Sequence, residues 1–298
     1  METVQDYFGF PAAPHPYNKR TINIWYGKTG GVKEHRGGAE RSDEETAQEY
    51  TESNTSEANR PNRVLMVGIE VEAENTQDIA VPFWKETQDG SLKIRGKEYT
   101  IPVEEDVAAD YLSLLFSIQN KIKMSSRCSI HIHVDIRTFT LSELATLILL
   151  YIIFEKSLYN FSGKRWDSNY CVPIRTQLLG NILKYNFRHF REYFPKYGGI
   201  HLFAGDTLAT IEFRQMKGTT DVDVISNWIK IVTSLVKSAK KIPLSDFLKE
   251  LETMHTTSSY KNLTVDIFKE CSHFIFNQPT FKEDVEEGIR LTKILVER

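Results

Sequence analysis

Glu70 and Glu72 stand two residues apart in GIEVEAE, separated by the apolar Val71. In an extended chain alternate side chains point the same way, so the two carboxylates share a face roughly 7 Å apart at Cα. At that distance they repel unless a cation neutralises them, although a solvent-facing strand tolerates the same pattern. His131 and His133 repeat the spacing in CSIHIHVDI, with Asp135 continuing their face and Ile130, Ile132 and Val134 on the other. Imidazole suits Zn²⁺ or Mn²⁺ better than Mg²⁺, and either histidine can be the ligand; a pair on an exposed strand is equally a structural feature. Glu212 and Arg214 make a third such face in TLATIEFRQM, opposite Ile211 and Phe213. There the carboxylate can bind a metal and the guanidinium can hold a phosphate or carboxylate through two parallel hydrogen bonds, whereas alone the two would form a surface ion pair. Recurrence decides between these readings: three strands each set acid, His or Arg against an apolar face, where a solvent face mixes Lys, Thr, Ser and Gln.

Three other places carry polar groups of interest. Asp89-Gly90-Ser91 is a turn, and Glu98 follows Gly96 with no stronger signal of its own. Phe161 to Tyr170, FSGKRWDSNY, is a Gly-hinged basic loop able to fold Lys164 or Arg165 over phosphates. It lacks the Gly-x-x-x-x-Gly-Lys-Ser/Thr spacing of a P-loop, and the Gly-x-Gly-x-x-Gly, Gly-x-Ser-x-Gly and HExxH patterns are absent too.

These residues need elements to hold them. Leu65, Val67, Ile69 and Val71 alternate with Met66, Gly68, Glu70 and Glu72, which predicts a strand. A second extended stretch runs over about 92–102. Val107, Tyr111, Leu114, Leu115, Ile118 and Ile122 then recur at helical spacing behind the acidic start Glu104-Glu105-Asp106. The His131 strand comes next, and Thr140 with Glu143 makes a capping-box pattern before an apolar helix reaching about Tyr159. Gly163 to Pro173 reads as a loop, and the basic and aromatic segment to Tyr197 as partly helical. Beyond the Glu212 strand, Val224, Ile225, Trp228, Val232 and Leu235 mark another helix, and weaker helical patterns follow, including Phe281 to Val296. Strands separated by helices, several with a polar face, predict an α+β fold whose sheet is the floor of an active site.

The whole chain sets bounds on this reading. Its 298 residues are 41% hydrophobic and 11% aromatic, enough for one large or two small cores, which excludes a disordered or fibrous protein. Lys plus Arg number 37 against 40 acids, a net charge of -3, so no global field draws the chain to nucleic acid or anionic lipid, and any phosphate binding is local. Cys128, Cys171 and Cys271 form no CxxC pair and read as free thiols in a reducing, cytoplasmic setting. Asp6 and Pro11 interrupt any secretion signal, and the greasiest run, Leu147 to Phe154, is far short of the roughly 20 residues a bilayer requires. Residues 1–62 form a flexible acidic segment, since Gly30 to Asn62 has almost no aliphatic residues. Within it Thr21 to Tyr26 (TINIWY) reads as an edge strand or as a peptide that docks on a partner. Residues 63–298 are then the folded domain.

In order, GIEVEAE, QDGSL, GKEYTIP, CSIHIHVD, RWDSNYC and TIEFRQMKGTT leading into a Trp-containing helix resemble the amidoligase family. That family is related to the glutamine synthetase and glutamate–cysteine ligase superfamily and is frequent in bacteria and phages. The resemblance covers about Val64 to Leu235. It implies a glutamine-synthetase-like, curved antiparallel sheet whose concave face holds ATP with Mg²⁺ or Mn²⁺, helices on the convex face, and a host-cytoplasmic location if phage-encoded. It also implies an ATP-dependent ligase that phosphorylates a carboxylate and lets an amine displace the phosphate, the substrates being small molecules or peptides. By the same resemblance Glu70, Glu72, Glu98, Glu212 and His131 or His133 bind metal, and Arg165 and Arg214, with Lys164 and Lys217, contact the nucleotide. Asp89 takes up the proton of the amine. Ile130 and Ile132 depart from the family, which often has small residues there. Two other readings stand beside it: a metal-dependent hydrolase or nuclease that uses the same Glu and His faces on two metals, and a non-catalytic virion or binding protein that keeps the scaffold and works through its acidic linker and N-terminal peptide.

Overall fold

The computed structural model describes residues 65–93, 95–175, 197–202 and 210–296; the segment 1–62 with its TINIWY stretch, and residues 176–196, lie outside these. The strands are β1 (Met66–Ala73), β2 (Lys85–Gln88), β3 (Lys97–Glu104), β4 (Ser129–Asp135), β5 (Ile200–Leu202) and β6 (Thr210–Lys217). The helices are α1 (Ala108–Ile118), α2 (Leu141–Phe161), α3 (Val222–Lys241), α4 (Leu244–Thr253), α5 (Thr257–Phe268), α6 (Ser272–Phe276) and α7 (Phe281–Val296). The fold is α+β: the strands form one open sheet in the order β2-β3-β1-β4-β6-β5, with every pairing antiparallel.

The alternation read from the sequence sorts the two faces of this sheet. Val67, Ile69 and Val71 of β1, Ile130, Ile132 and Val134 of β4, and Ile211 and Phe213 of β6 are all fully buried in the hydrophobic core that α2 and α3 complete. Helix α2 begins where the capping box predicts: Glu143 N donates to Thr140 Oγ1 at 3.2 Å, and Thr140 N to Glu143 Oε2 at 2.6 Å. It buries side chains nearly all round because α7 packs on it as well as α3. Gly288 is what lets α7 approach so closely, since a Cβ there would lie 2.5 Å from the Ile153 carbonyl oxygen. Helix α3 starts at Asp221, whose side chain accepts from Asp223 N and Val224 N, and it buries Ile225, Trp228, Val232 and Leu235.

Four elements differ from the sequence reading. The extended stretch over 92–102 is a hairpin strand that starts only at Lys97, paired with β2; the KETQ of β2 is polar throughout and offers no alternation to recognise. Strand β5 has three residues, too few to show a period. The first helix opens with a 3₁₀ turn at Glu105–Val107 and ends at Ile118, so Ile122 lies beyond it. Among the described residues, no helix is long and apolar enough to cross a membrane. Cys128, Cys171 and Cys271 are free and buried.

Candidate metal centre

The antiparallel register, more than any local sequence, assembles the polar face. It sets Glu70 opposite His131, His133 opposite Glu212, and Glu212 opposite His201, so that β1, β4, β6 and β5 each place a titratable side chain in one cluster. Between Ile130 and Ile132 of β4 the pairing with β6 shifts by one residue, a bulge that sets Arg214 and Gln215 together against His131. Gln215 consequently turns to the helix side, where its Nε2 donates to the Tyr151 hydroxyl at 2.5 Å, while Arg214 stays with the cluster.

The two histidines play different parts. Ser129 donates to Glu72 Oε2 through both its N (2.8 Å) and its Oγ (2.5 Å), so its single hydroxyl proton is committed and Oγ can only accept from His131 Nε2, 2.9 Å away. The other ring nitrogen, Nδ1, lies 3.1 Å from Glu70 Oε2 and 3.2 Å from Glu212 Oε1, two acceptors. Both nitrogens therefore carry protons and His131 is an imidazolium. Its pKa fits: burial and the Arg214 charge push it down, but the carboxylates of Glu212 and Glu70 prevail and raise it to about 9. His133, by contrast, spends Nδ1 on the Thr210 hydroxyl at 3.1 Å and turns Nε2 towards Glu70 Oε1 at 3.2 Å. Burial disfavours its charged form, and the adjacent Glu70 outweighs this and raises its pKa.

The acids are held ionised in spite of their surroundings. Burial would raise Glu70, yet the His133 charge and hydrogen bonds from both imidazoles bring it down to about 2. Glu212, 4% exposed, is likewise pushed up by burial but held well below the carboxylate range by Arg214, His131 and His201. Arg214 Nη1 donates to Glu212 Oε1, and its Nε reaches the Tyr170 carbonyl at 3.4 Å. His201 Nδ1 stands 3.4 Å from Glu212 Oε2.

Glu70, His133 and Glu212 each offer one ligand atom, all within 4.8 Å of one another. Bond lengths of about 2.0–2.2 Å from a shared ion nearly span that separation, so small side-chain movements suffice. Two carboxylates and one imidazole suit Mn²⁺, which accepts the oxygen ligands of Mg²⁺ and tolerates nitrogen. The Thr210 bond orients the His133 ring as an outer partner does in metal sites. His131 is outside this trio, its Nε2 facing Ser129 and its Nδ1 lying between the two carboxylates, so the geometry favours His133 where the sequence leaves the choice open.

The other residues singled out from the sequence fall at varying distances from the trio. Glu72 joins the cluster through Ser129, and Glu98 is its cross-strand neighbour on β3, taking a hydrogen bond from Thr87 Oγ1 at 3.3 Å. Lys217 ends β6 opposite Ser129 and is exposed; its N donates to Ser162 O at 2.8 Å. Gly163, at φ 102°, brings the basic loop against Lys217, where a Cβ would sit 2.8 Å from the lysine Cβ. Lys164 follows it, exposed. Arg165 makes long hydrogen bonds from Nη1 to the carbonyls of Arg214 (3.5 Å) and Met216 (3.4 Å), fastening the loop to the bulged strand. Asp89 lies in the β2–β3 turn and caps it by accepting from Ser91 N at 2.8 Å, and its backbone bonds Gly96 and Leu92 of the same turn. Sequence reasoning missed Ser129, Thr210 and His201. Ser129 and Thr210 do stand on the polar faces already recognised, whereas His201 sits on a strand too short to signal itself.

No protein-family model matches the chain, and no curated protein matches it in sequence.

Proposed function

We propose that the chain is an ATP- and divalent-metal-dependent ligase that joins a carboxylate to an amine through an acyl phosphate, on a sheet of the glutamine synthetase kind with its helices on the outer, convex side. The observation that carries this reading is the convergence of Glu70, His133 and Glu212 from three neighbouring antiparallel strands with the Arg214 guanidinium alongside. Three of the ordered motifs that resemble the amidoligase family, GIEVEAE, CSIHIHVD and TIEFRQMKGTT, lie on those same strands. A triphosphate brings about four negative charges, which a face of carboxylates accepts only with cations present.

In this reading Glu70, His133 and Glu212 hold Mn²⁺ or Mg²⁺, which when bound offsets the triphosphate charge and polarises the γ-phosphoryl group. Arg214 has Nη1 committed to Glu212 and Nε to the Tyr170 carbonyl. Its second amino group has no partner among the described residues and serves as donor to the phosphoryl oxygens as charge moves in the transition state. The imidazolium of His131 lies between Glu70 and Glu212 and offsets their mutual repulsion, and Ser129 with Glu72 keeps that ring in place. The substrate carboxylate attacks the γ-phosphorus and ADP leaves; the amine nitrogen then attacks the acyl carbon, inorganic phosphate leaves, and the nitrogen loses a proton. Asp89 is left out of that proton transfer, because its hydrogen bonds lie within its own turn. Arg165 acts by holding β6, while Lys164 and Lys217, exposed on the adjoining loop and strand end, are the remaining cations for phosphate.

Hydroxylamine tests the reaction by trapping the acyl phosphate. With ATP, Mg²⁺ or Mn²⁺ and a panel of carboxylates, a hydroxamate should form only when a suitable acid is present. Arg214→Ala should lower its rate by about 10²–10³, the cost of losing one preorganised donor. Cleavage of a phosphodiester or peptide without ATP, lost in Glu70→Gln, would replace the ligase reading with a metal-dependent hydrolase.

A further inference from the structure

Next to Arg214 lies an aromatic pair that the metal centre does not use. Tyr170 is 61% exposed and Tyr197 43% exposed, and their rings meet edge to face with centroids 5.7 Å apart and planes at 89°. The backbone that carries the pair is tied to β6. Val172 N donates to Tyr197 O at 2.7 Å, Gly199 N to Val172 O at 2.9 Å, and Arg214 N to Gly199 O at 2.9 Å. The Tyr170 carbonyl also accepts from Arg214 Nε. Gly199 allows this close seating, since a Cβ there would lie 2.5 Å from the Tyr159 hydroxyl and 2.6 Å from that of Tyr151. One hydrogen-bonded scaffold thus holds both the guanidinium and the exposed rings.

Exposed aromatic rings forgo the burial that usually stabilises them, and two rings at right angles make a corner that offers a π face and an edge to a third planar ring. We propose that Tyr170 and Tyr197 form the platform for the base of the nucleotide whose phosphates lie at Arg214. The proposal rests on ATP being the phosphoryl donor. Stacking on tyrosine accepts any base, because every base has a π face, and it requires no hydrogen-bond readout. The rings thereby separate nucleotide binding into two independent parts: phosphates at the metal centre and Arg214, base at the tyrosine corner.

Calorimetric titration of the full chain with ATP and with inorganic tripolyphosphate, both in Mn²⁺, separates the two parts. Wild type should bind ATP about tenfold or more tightly than tripolyphosphate, the excess being the stacked base. Tyr170→Ala should lose most of that excess, Tyr197→Ala should shift in the same direction, and Tyr170→Phe should keep it. Tripolyphosphate should bind equally to all of them, which also shows that the phosphate pocket is intact. Equal affinity of wild type for the two ligands, or an excess kept by both alanine variants, would overturn the platform. So would a parallel loss of tripolyphosphate binding, which would assign the rings to the fold or the phosphate pocket. A wild type that binds neither ligand would defeat the ATP reading itself, and the platform with it.

Discussion

The two faces of the central sheet are buried to a similar degree by different means. On the helix side Val67, Ile69, Ile132 and Phe213 are 0% exposed, and on the other side Ser129, His131, His133 and Glu212 are 2–5% exposed. Apolar burial is non-directional and proportional to area, so each side chain contributes largely on its own and at any pH. The polar face is stable only as a set, because each proton donor there must meet an acceptor and each charge a counter-charge. Glu70 takes hydrogen bonds from both imidazoles, and Glu212 is shared among Arg214, His131 and His201, so removing one member leaves the others exposed to the full cost of burial. One face holds the fold together, and the other is held in place by it.

The largest effect should come from breaking the apolar side. Trp228 is fully buried, stacks on Phe161 and meets Phe213 edge-on beneath the site strand β6. Trp228→Ala should cost about 3–5 kcal/mol in urea unfolding, by the same amount with and without Mn²⁺. A metal-dependent loss would show that the two faces are not separable.

A smaller effect should mark the polar side alone. Mn²⁺ at about a hundred times its dissociation constant should stabilise wild type by about 2.7 kcal/mol in the same assay. Glu70→Gln, Glu212→Gln and His133→Gln should lose most of that gain, while His131→Gln should keep it, because the imidazolium is no ligand. Loss of the gain in His131→Gln alone would reverse the parts given to the two histidines.

The smallest expected effect is the shape of the pH profile in the absence of metal. His131 is raised from 6.5 to about 9, so its contribution is whole below 6.5 and falls away as pH rises through 9. Glu70 is lowered from 4.5 to about 2, so its contribution is whole above 4.5 and is lost as pH falls through 2. The melting temperature should therefore peak between about 4.5 and 6.5. Glu70→Gln should flatten both limbs, since it removes one titrating group and a partner of the other, whereas Trp228→Ala should lower the whole curve without changing its form. Identical profiles for Glu70→Gln and wild type would detach the cluster from stability.

Much of this contrast is legible in the sequence alone. The alternation in GIEVEAE, CSIHIHVD and TIEFRQM assigns β1 through Glu72, β4, and β6 through Arg214 to the correct faces, because a strand with one buried apolar side keeps a period of two until a bulge interrupts it. The Thr140–Glu143 cap and the apolar residues about Trp228 were equally plain, since caps and helical faces are local. Strands β2 and β5 were not legible, the first because its four residues are all polar and the second because three residues make no period.

The sequence by itself determined which side chains share a face: Glu70 with Glu72, His131 with His133, Glu212 with Arg214. Partners that meet across the sheet can lie far apart in the chain, Glu70 and His131 by 61 residues, and no local pattern encodes such a pairing. Only the tertiary structure decided that His131 lies opposite Glu70, that a bulge turns Gln215 away and keeps Arg214 in the cluster, and that Ser129 commits its proton to Glu72. The physical reason is range. Side-chain direction follows from dihedral sterics within a few residues, whereas register and protonation depend on charges and hydrogen bonds that meet only after the chain has closed the sheet.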